Sequence, residues 1–228
     1  MSTNNPRVFA YVISTVSIGY RLVGCVPWVT DRLVFFGPCK KRMRPLVRPR
    51  DYIMGVSPTM VGKRRVLLWM KVADTMTFAE AFKRGRDDRI FRALRGHAIH
   101  VRPAKGVPFE EGKPSAYEHI PGAPHPGKWR SDIQGKRDIF LVGGAGSWVA
   151  EGEAPAVDRH LVALLQDGLK NDLATLRNPL GRNPRGKHLL VTGAAARAII
   201  SWVPQMKNTV QYSDREARTV CAHKCTCD

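Results

Sequence analysis

The chain has 228 residues, with 37 Lys or Arg against 19 Asp or Glu, which gives a formal net charge of +18. Its length suits one domain with a short appendage, and its hydrophobic content of 43% excludes general disorder. Lys and Arg neutralise phosphate chains and release their counterions, so this charge predicts a phosphate-bearing partner, with anionic membrane as the rival. No apolar run approaches the ~20 residues of a spanning helix, and the polar N-terminus lacks a signal-type apolar stretch. We therefore expect a cytoplasmic protein without membrane contact.

Runs rich in β-branched and aromatic residues predict six strands. In chain order they are residues 7–14, 32–36, 51–56, 64–74, 138–143 and 188–191. Strands dominate the first third of the chain and helices come later, which argues against a doubly wound parallel sheet.

Helical signals are fewer. Thr77 and Glu80 have the spacing of a capping box at the start of an apolar-periodic stretch, which Gly85 interrupts. Further helices are predicted at 158–168 and 194–202. The pattern indicates a strand-rich α+β fold, with a mixed sheet and about three flanking helices.

The C-terminal end carries a cluster of potential metal ligands. Its members are Cys221, His223, Cys225 and Cys227. The C-x3-C-x-C spacing is not a common zinc pairing, so we expect no metal. The predicted organisation is one domain over residues 1–212 and a mobile Cys-containing tail over 213–228.

No familiar catalytic or cofactor signature is present. The sequence lacks a phosphate-binding G-x-x-x-x-G-K-[ST] loop, a G-x-S-x-G elbow and an H-E-x-x-H helix. The glycines at 143–146 lack the complete dinucleotide-binding spacing. No cofactor is predicted.

A long segment dense in Pro and Gly, residues 102–137, suggests a functional loop, because structureless loops of that length are uncommon otherwise. It contains His119, and Asp132 and Asp138 follow downstream. A His–Asp pair is suited to acid–base chemistry. The alternative is an exposed loop histidine without a catalytic role.

The most basic segment spans residues 32–50 and contains no acidic residue. Arg42 and Arg44 stand two apart, so in an extended chain they share one face. Paired guanidinium groups suit bidentate phosphate recognition. The alternative is a solvated basic loop.

Aromatic residues are interleaved with this segment. Trp28, Tyr52 and Trp148 are the candidates for base stacking, which is worth roughly 1–3 kcal/mol per base where a groove presents the ring. The alternative for each ring is a place in the hydrophobic core.

The order of these segments resembles a known family. The segments are RVFAYVIS, GPCKKRMR, RPRDYIMGVS, VLLWMKVADTMTFAEAF, AYEHIPG and DIFLVGGAGSWVAEGEAP. Together, over about residues 7–158, they resemble the nucleotide-modification-associated domain of the second type. The resemblance implies a setting in which modified nucleotides are made, recognised or processed, including phage and defence systems. The strand-rich first half is also similar to the small barrels of domains that read modified bases.

The resemblance also implies positions for ligand contacts. Cys39, Lys40, Arg42 and Arg44 fall on its Cys-Lys segment, Asp51 and Tyr52 on its Gly-Asp strand, and Trp148 on its last aromatic segment.

Three functions remain open at this stage. The first is a binding module that holds a nucleotide or nucleic acid in a basic, aromatic-lined pocket. The second is an enzyme that modifies or hydrolyses a nucleotide or base with the loop His and Asp residues. The third is a structural subunit that docks on nucleic acid. The absence of a recognised catalytic signature favours the first.

Overall fold

The computed structural model describes residues 5–13, 27–30, 33–58, 63–150, 154–169 and 188–206. The predicted tail at 213–228 and its Cys–His cluster lie outside these residues. The described residues form ten strands and five α-helices. The predicted α+β class with a strand-rich mixed sheet is confirmed, and there are more helices than expected.

The strands are β1 (Val8–Val12), β2 (Trp28–Thr30), β3 (Leu33–Phe36), β4 (Tyr52–Val56), β5 (Val66–Met76), β6 (Val101–Pro103), β7 (Tyr117–His119), β8 (Phe140–Gly143), β9 (Trp148–Val149) and β10 (Leu189–Val191). Eight of them form one sheet in the order β10-β1-β4-β5-β8-β3-β2, with β9 also paired to β5. Only β1 and β4 pair in parallel within it. The remaining two strands, β6 and β7, form a separate antiparallel pair.

The sheet stays open, so the barrel-like shape expected from the first half is wrong. The strand path starts at β10 and ends at β2, and these two strands do not pair. The long strand β5 pairs with β4 and β9 through its first half and with β8 through its second half. A register shift between Val72 and Asp74 lies near the change of partner, and such bulges bend a strand without closing the sheet.

The helices are α1 (Phe78–Arg84), α2 (Arg89–Ala93), α3 (Trp129–Ile133), α4 (Arg159–Leu169) and α5 (Gly193–Trp202). The predicted capping box is confirmed: Glu80 N donates to Thr77 Oγ1 at 3.1 Å, and Thr77 N donates to Glu80 Oε2 at 2.7 Å. Gly85 follows α1, and Asp88 caps a separate helix α2 through the Ile90 and Phe91 amides.

Two hydrophobic clusters divide the interior. The main core packs the sheet around β1, β4 and β5 against α4 and α5. The second core gathers aromatic rings from β3, α1, α2 and β8; the ring centroids of Phe35 and Phe140 are 6.0 Å apart, and those of Phe78 and Phe140 are 5.7 Å apart. Residues of β2, β6, β7 and α3 also join this second core, and it supports the segments described next.

Candidate functional site

The basic segment forms a turn and a short 3-10 helix, Arg44–Leu46, in place of an extended strand. Lys40 adopts a φ of 58°, a left-handed conformation that reverses the chain. Pro45 suits the first turn of a helix because its missing N–H has no partner to lose there. Arg42 therefore lies exposed while Arg44 is fully buried. The prediction that Arg42 and Arg44 share one face is wrong.

The buried Arg44 side chain connects several segments of the backbone. All five N–H donors of its guanidinium point at backbone carbonyl oxygens. The acceptors are the carbonyl oxygens of Pro38, Cys39, Asp132, Arg137 and Ile139. Its guanidinium carbon also lies 5.3 Å from the centroid of the Phe78 ring. Burial lowers the pKa of Arg44 to about 10. With every donor used inside the protein, Arg44 holds the fold together and is not placed to bind phosphate.

The two lysines of the segment point in different directions. Lys40 Nζ lies 4.8 Å from the centroid of the Tyr11 ring and 3.5 Å from the Val12 carbonyl oxygen, so it turns back toward β1. Lys41 Nζ donates to Ser131 Oγ at 3.0 Å, which places it against α3. Lys41 therefore lies against α3, and the next residue, Arg42, is exposed.

An apolar pocket adjoins the start of the basic segment. It is a small, partly open depression lined by Pro27, Trp28, Phe36, Gly37, Pro38, Cys39 and Pro124. The backbone at Gly37 is packed so closely that an added Cβ would meet the Ala98 carbonyl oxygen at 2.3 Å. Two residues predicted to contact ligand, Trp28 and Cys39, thus line the same pocket.

Trp28 lies on strand β2 and is largely in the core. It is 6% exposed, and its ring centroid lies 4.9 Å from that of His97. Little of this ring is exposed, so Trp28 lines the pocket and is not a free platform for base stacking.

Asp51, Tyr52 and Trp148 line no part of this pocket. Asp51 is buried and accepts from the Arg7 guanidinium at 2.5 Å and from the Arg48 amide at 2.7 Å. The Tyr52 ring stacks on Trp69 with a centroid distance of 5.1 Å. Trp148 is 5% exposed and pairs with Trp69 across β9 and β5. These three residues have structural contacts that the sequence does not reveal.

Histidines gather beside the pocket. His125 Nδ1 and Asp132 Oδ2 are 2.6 Å apart, and both residues are buried. His100 is fully buried, with its ring centroid 6.2 Å from that of His125 and 6.3 Å from that of His119. Among the residues that the structure describes, neither ring nitrogen of His100 has a hydrogen-bond partner. Burial, with the nearby His125, Arg44 and His119, lowers the pKa of His100 well below its ordinary value.

His119 belongs to this cluster but pairs with neither predicted carboxylate. Its Nε2 is 2.9 Å from the Pro124 carbonyl oxygen, and its ring lies near that of Trp129 at a centroid distance of 6.3 Å. The loop that follows is strained, since His125 has a φ of 64°. Such conformations persist where the surroundings impose them, often at functional sites.

Asp138 has a structural role in this arrangement. It is buried and accepts hydrogen bonds from the Phe78 amide at 3.0 Å, the Gly112 amide at 3.2 Å and the Tyr117 hydroxyl. Burial and this hydrogen bond raise the pKa of Tyr117. Asp138 thus joins α1, β7 and the preceding loop, and its oxygens face these donors.

Sequence reasoning identified Asp132 but missed its partner His125 and the central His100. The seven-residue spacing of His125 and Asp132 becomes a contact only because the chain turns at His125 and then enters α3. His100 precedes β6, with no sequence signal to separate it from an ordinary core residue.

Among the described residues, no three His, Cys, Asp or Glu side chains are grouped so as to hold a metal ion. None of the helices in the described part of the chain has the length and apolar character needed to cross a bilayer. Comparison of the chain with protein-family models, with curated proteins and with solved structures found no match.

Proposed function

We propose that the protein binds a nucleotide or nucleic acid, with a base against the apolar pocket and phosphate on the cations beside it. This proposal rests on residues 37–42, in which pocket-lining residues are followed directly by cations. Gly37, Pro38 and Cys39 line the pocket, and Lys41 and exposed Arg42 follow within three residues. An apolar depression bordered by cations suits a ligand with a flat apolar part and a phosphate.

Charge around the pocket supports the same ligand. Lys128 and Arg130 are exposed on either side of Trp129, and Lys41 reaches the neighbouring Ser131. Between residues 33 and 50, and between 119 and 134, the only carboxylate is Asp132, which is buried beside His125. Exposed cations on segments with no exposed carboxylate contribute a positive potential that attracts phosphate.

The resemblance to the nucleotide-modification-associated domain extends the proposal to modified nucleotides in a phage or defence setting in the cytoplasm. This extension rests on the order of sequence segments and not on the pocket geometry.

The binding test compares Arg42→Ala with Lys105→Ala, which removes an equal charge from an exposed turn. The probes are fluorescein-labelled single-stranded RNA and DNA, and the four ribonucleoside monophosphates by calorimetry. We expect Arg42→Ala to weaken binding at least about tenfold, because one charge-assisted hydrogen bond contributes about 1.5–3 kcal/mol and a tenfold change needs about 1.4 kcal/mol. The control should bind within about twofold of the parent, since a distant exposed charge acts only through a screened field.

A second variant tests the pocket. Cys39→Phe places a ring in the space proposed for the base and should weaken binding while the melting temperature confirms folding. Unchanged affinity in both Arg42→Ala and Cys39→Phe, or no binding of any probe to the parent protein, contradicts the proposed function.

A further inference from the structure

Three arginines gather where α1 ends and α2 begins. Arg92 Nε donates to the Gly85 carbonyl oxygen at 3.2 Å, and an NH2 group of the same side chain donates to the Arg86 carbonyl oxygen at 2.6 Å. Arg95 donates to the Phe82 carbonyl oxygen through Nε at 3.2 Å and through an NH2 group at 2.6 Å. Both side chains therefore converge on the carboxyl end of α1, where Arg86 is part of the turn. We call Arg86, Arg92 and Arg95 the arginine cluster.

Helix capping explains only part of this arrangement. The last carbonyl oxygens of a helix lack intrahelical donors, and Arg92 and Arg95 supply them. Each guanidinium has five N–H donors and uses two of them here, so three donors on each arginine have no protein acceptor among the described residues. The Arg95 guanidinium carbon also lies 4.2 Å from the centroid of the Phe82 ring. These contacts fix the two groups before any ligand binds, which lowers the entropy cost of binding.

The fold does not neutralise the charge of the arginine cluster. Asp88 caps α2 and lies 3.7 Å from Arg84, and Asp74 lies 3.9 Å from the same arginine. No described carboxylate forms a salt bridge with a member of the cluster. Burial and the charges of the other two members lower the pKa of Arg95 below its ordinary value. Such repulsion opposes folding and is relieved when an anion binds, so the cluster suits an anionic partner.

A tight turn joins the arginine cluster to the wall of the apolar pocket. Gly96, with a φ of 78°, follows Arg95, and its amide donates to the Ile99 carbonyl oxygen at 2.9 Å. The next residue, His97, has its ring centroid 4.9 Å from that of Trp28, which lines the pocket. Consecutive Cα atoms are about 3.8 Å apart, so the Cα atoms of Arg95 and His97 lie within about 7.6 Å of each other. One member of the cluster is therefore close to the pocket wall.

Resting on the proposed function, we propose that the arginine cluster binds the phosphodiester backbone of a single-stranded nucleic acid whose base occupies the apolar pocket. The ligand is then a strand of several nucleotides, and a free nucleotide fills only part of the site. Arginine suits this role because its planar fork donates two hydrogen bonds to one phosphate. A single strand is favoured over a duplex, since a paired base is not available to a pocket.

The experiment measures the affinity of the full chain for a nucleoside monophosphate and for a single-stranded RNA of about 12 nucleotides. The cluster variant is Arg86→Ala with Arg92→Ala, which removes two exposed charges. The matched control is Arg159→Ala with Arg197→Ala, which removes two exposed charges from α4 and α5, the helices of the main core.

We expect the cluster variant to bind the RNA at least about 100-fold more weakly than the parent, because each lost charge-assisted contact weakens binding about tenfold or more. The RNA contacts at the cluster add to those at the cations on the pocket segments. The slope of the logarithm of the RNA association constant against that of salt concentration should become shallower by about 1.4, or about 0.7 for each lost phosphate contact. Affinity for the monophosphate should stay within about twofold, since this ligand does not reach the cluster. The control should bind both ligands within about twofold of the parent at physiological ionic strength.

Arg92 also caps α1, so a second variant keeps that cap. The side chain of Arg86 makes none of the hydrogen bonds to the α1 carbonyl oxygens. Arg86→Ala alone should therefore leave the melting temperature unchanged and still weaken RNA binding at least about tenfold. Unchanged RNA affinity in this variant contradicts the inference.

The outcomes separate this inference from the proposed function. Equal RNA affinities of the cluster variant and the control overturn the inference and leave binding at the pocket standing. Vesicles that contain phosphatidylserine test the rival partner: loss of vesicle binding in the cluster variant, with RNA binding intact, also overturns the inference. If the parent binds neither the monophosphate nor the RNA, the proposed function fails and the inference fails with it.

Discussion

His100 is a neutral imidazole enclosed on all sides. Its ring contacts Phe78 at a centroid distance of 4.8 Å, and the nearby polar side chains are His119, His125, Arg44 and Asp132. The closest carboxylate oxygen, Asp132 Oδ2, is 3.9 Å from His100 Nε2 and is already bonded to His125. Protonation of His100 would place a charge in the interior beside Arg44, so the folded state resists it.

This resistance predicts how stability depends on pH. The unfolded chain binds a proton at His100 below its ordinary pKa near 6.5, whereas the folded chain does so only at much lower pH. The unfolded state therefore gains protons as pH falls, and the free energy of unfolding decreases below about pH 6.5. Urea denaturation at pH 7, 6 and 5 should show a decrease of at most about 1.4 kcal/mol per pH unit from this residue.

The control for this prediction is His100→Leu, which has no titrating group. Its baseline stability differs from that of the parent, so the two pH slopes are compared and not the absolute values. The slope should be shallower in the variant. Equal slopes would show that His100 does not couple folding to pH.

At the level of elements, local patterns predicted the long segments well. The predicted strand 64–74 corresponds to β5 (Val66–Met76), and the predicted helix 158–168 corresponds to α4 (Arg159–Leu169). Burial on both faces makes the first half of β5 a continuous apolar run, and α4 has an apolar stripe at helical spacing. Both signals are carried by many residues, so they do not depend on distant contacts.

The short elements could not be predicted in the same way. Trp28–Thr30 is a strand only because β3 pairs with it, and Tyr117–His119 is a strand only because β6 does. The Pro- and Gly-rich composition of residues 102–137 predicts a loop. The stretch nevertheless contains α3 and several turns that are stabilised by residues distant along the chain. The candidate site consists mainly of these short elements, which is why the sequence indicated Asp132 and Trp28 but not their contacts.

Arg44 connects two of these elements. It bonds carbonyl oxygens in its own turn and others in α3 and the following segment, up to 95 positions away along the chain. We expect Arg44→Ala to lower the free energy of unfolding by about 3–5 kcal/mol, because five carbonyl oxygens lose their donor and a buried hydrogen-bond network is broken. Arg44→Lys should recover only part of it, because an ammonium has three donors for five acceptors.

Arg42→Ala is the matched control, since Arg42 lies in the same turn and is exposed. Its stability should change by no more than about 0.5 kcal/mol. Urea denaturation of the three variants gives the comparison. A small effect at Arg44 would mean that its carbonyl partners are satisfied in another way, by water or by rearrangement of the turn.

Over the whole molecule, buried and exposed cationic side chains have different roles. The net charge of +18 comes from two kinds of cation. Side chains such as Arg44 and Arg7 bond within the fold, whereas side chains such as Arg42 and Arg130 lie at the surface. The sequence alone could not separate these two groups, and it assigned Arg44 to the wrong one. The open sheet places the second core, the basic turn and α3 together near the pocket.

The salt dependence of RNA binding measures how many of these surface cations contact phosphate groups. Four cations lie on the chain segments that adjoin the pocket-lining residues, namely Lys41, Arg42, Lys128 and Arg130. If all four contact single-stranded RNA, the logarithm of the association constant should fall against the logarithm of salt concentration with a slope of about −3. Fluorescence anisotropy between 50 and 300 mM KCl gives this slope, and Arg42→Ala should make it shallower by about 0.7. A slope much steeper than −3 would mean that RNA contacts basic residues well beyond these four. An association constant that does not change with salt would restrict the ligand to small nucleotides bound in the pocket.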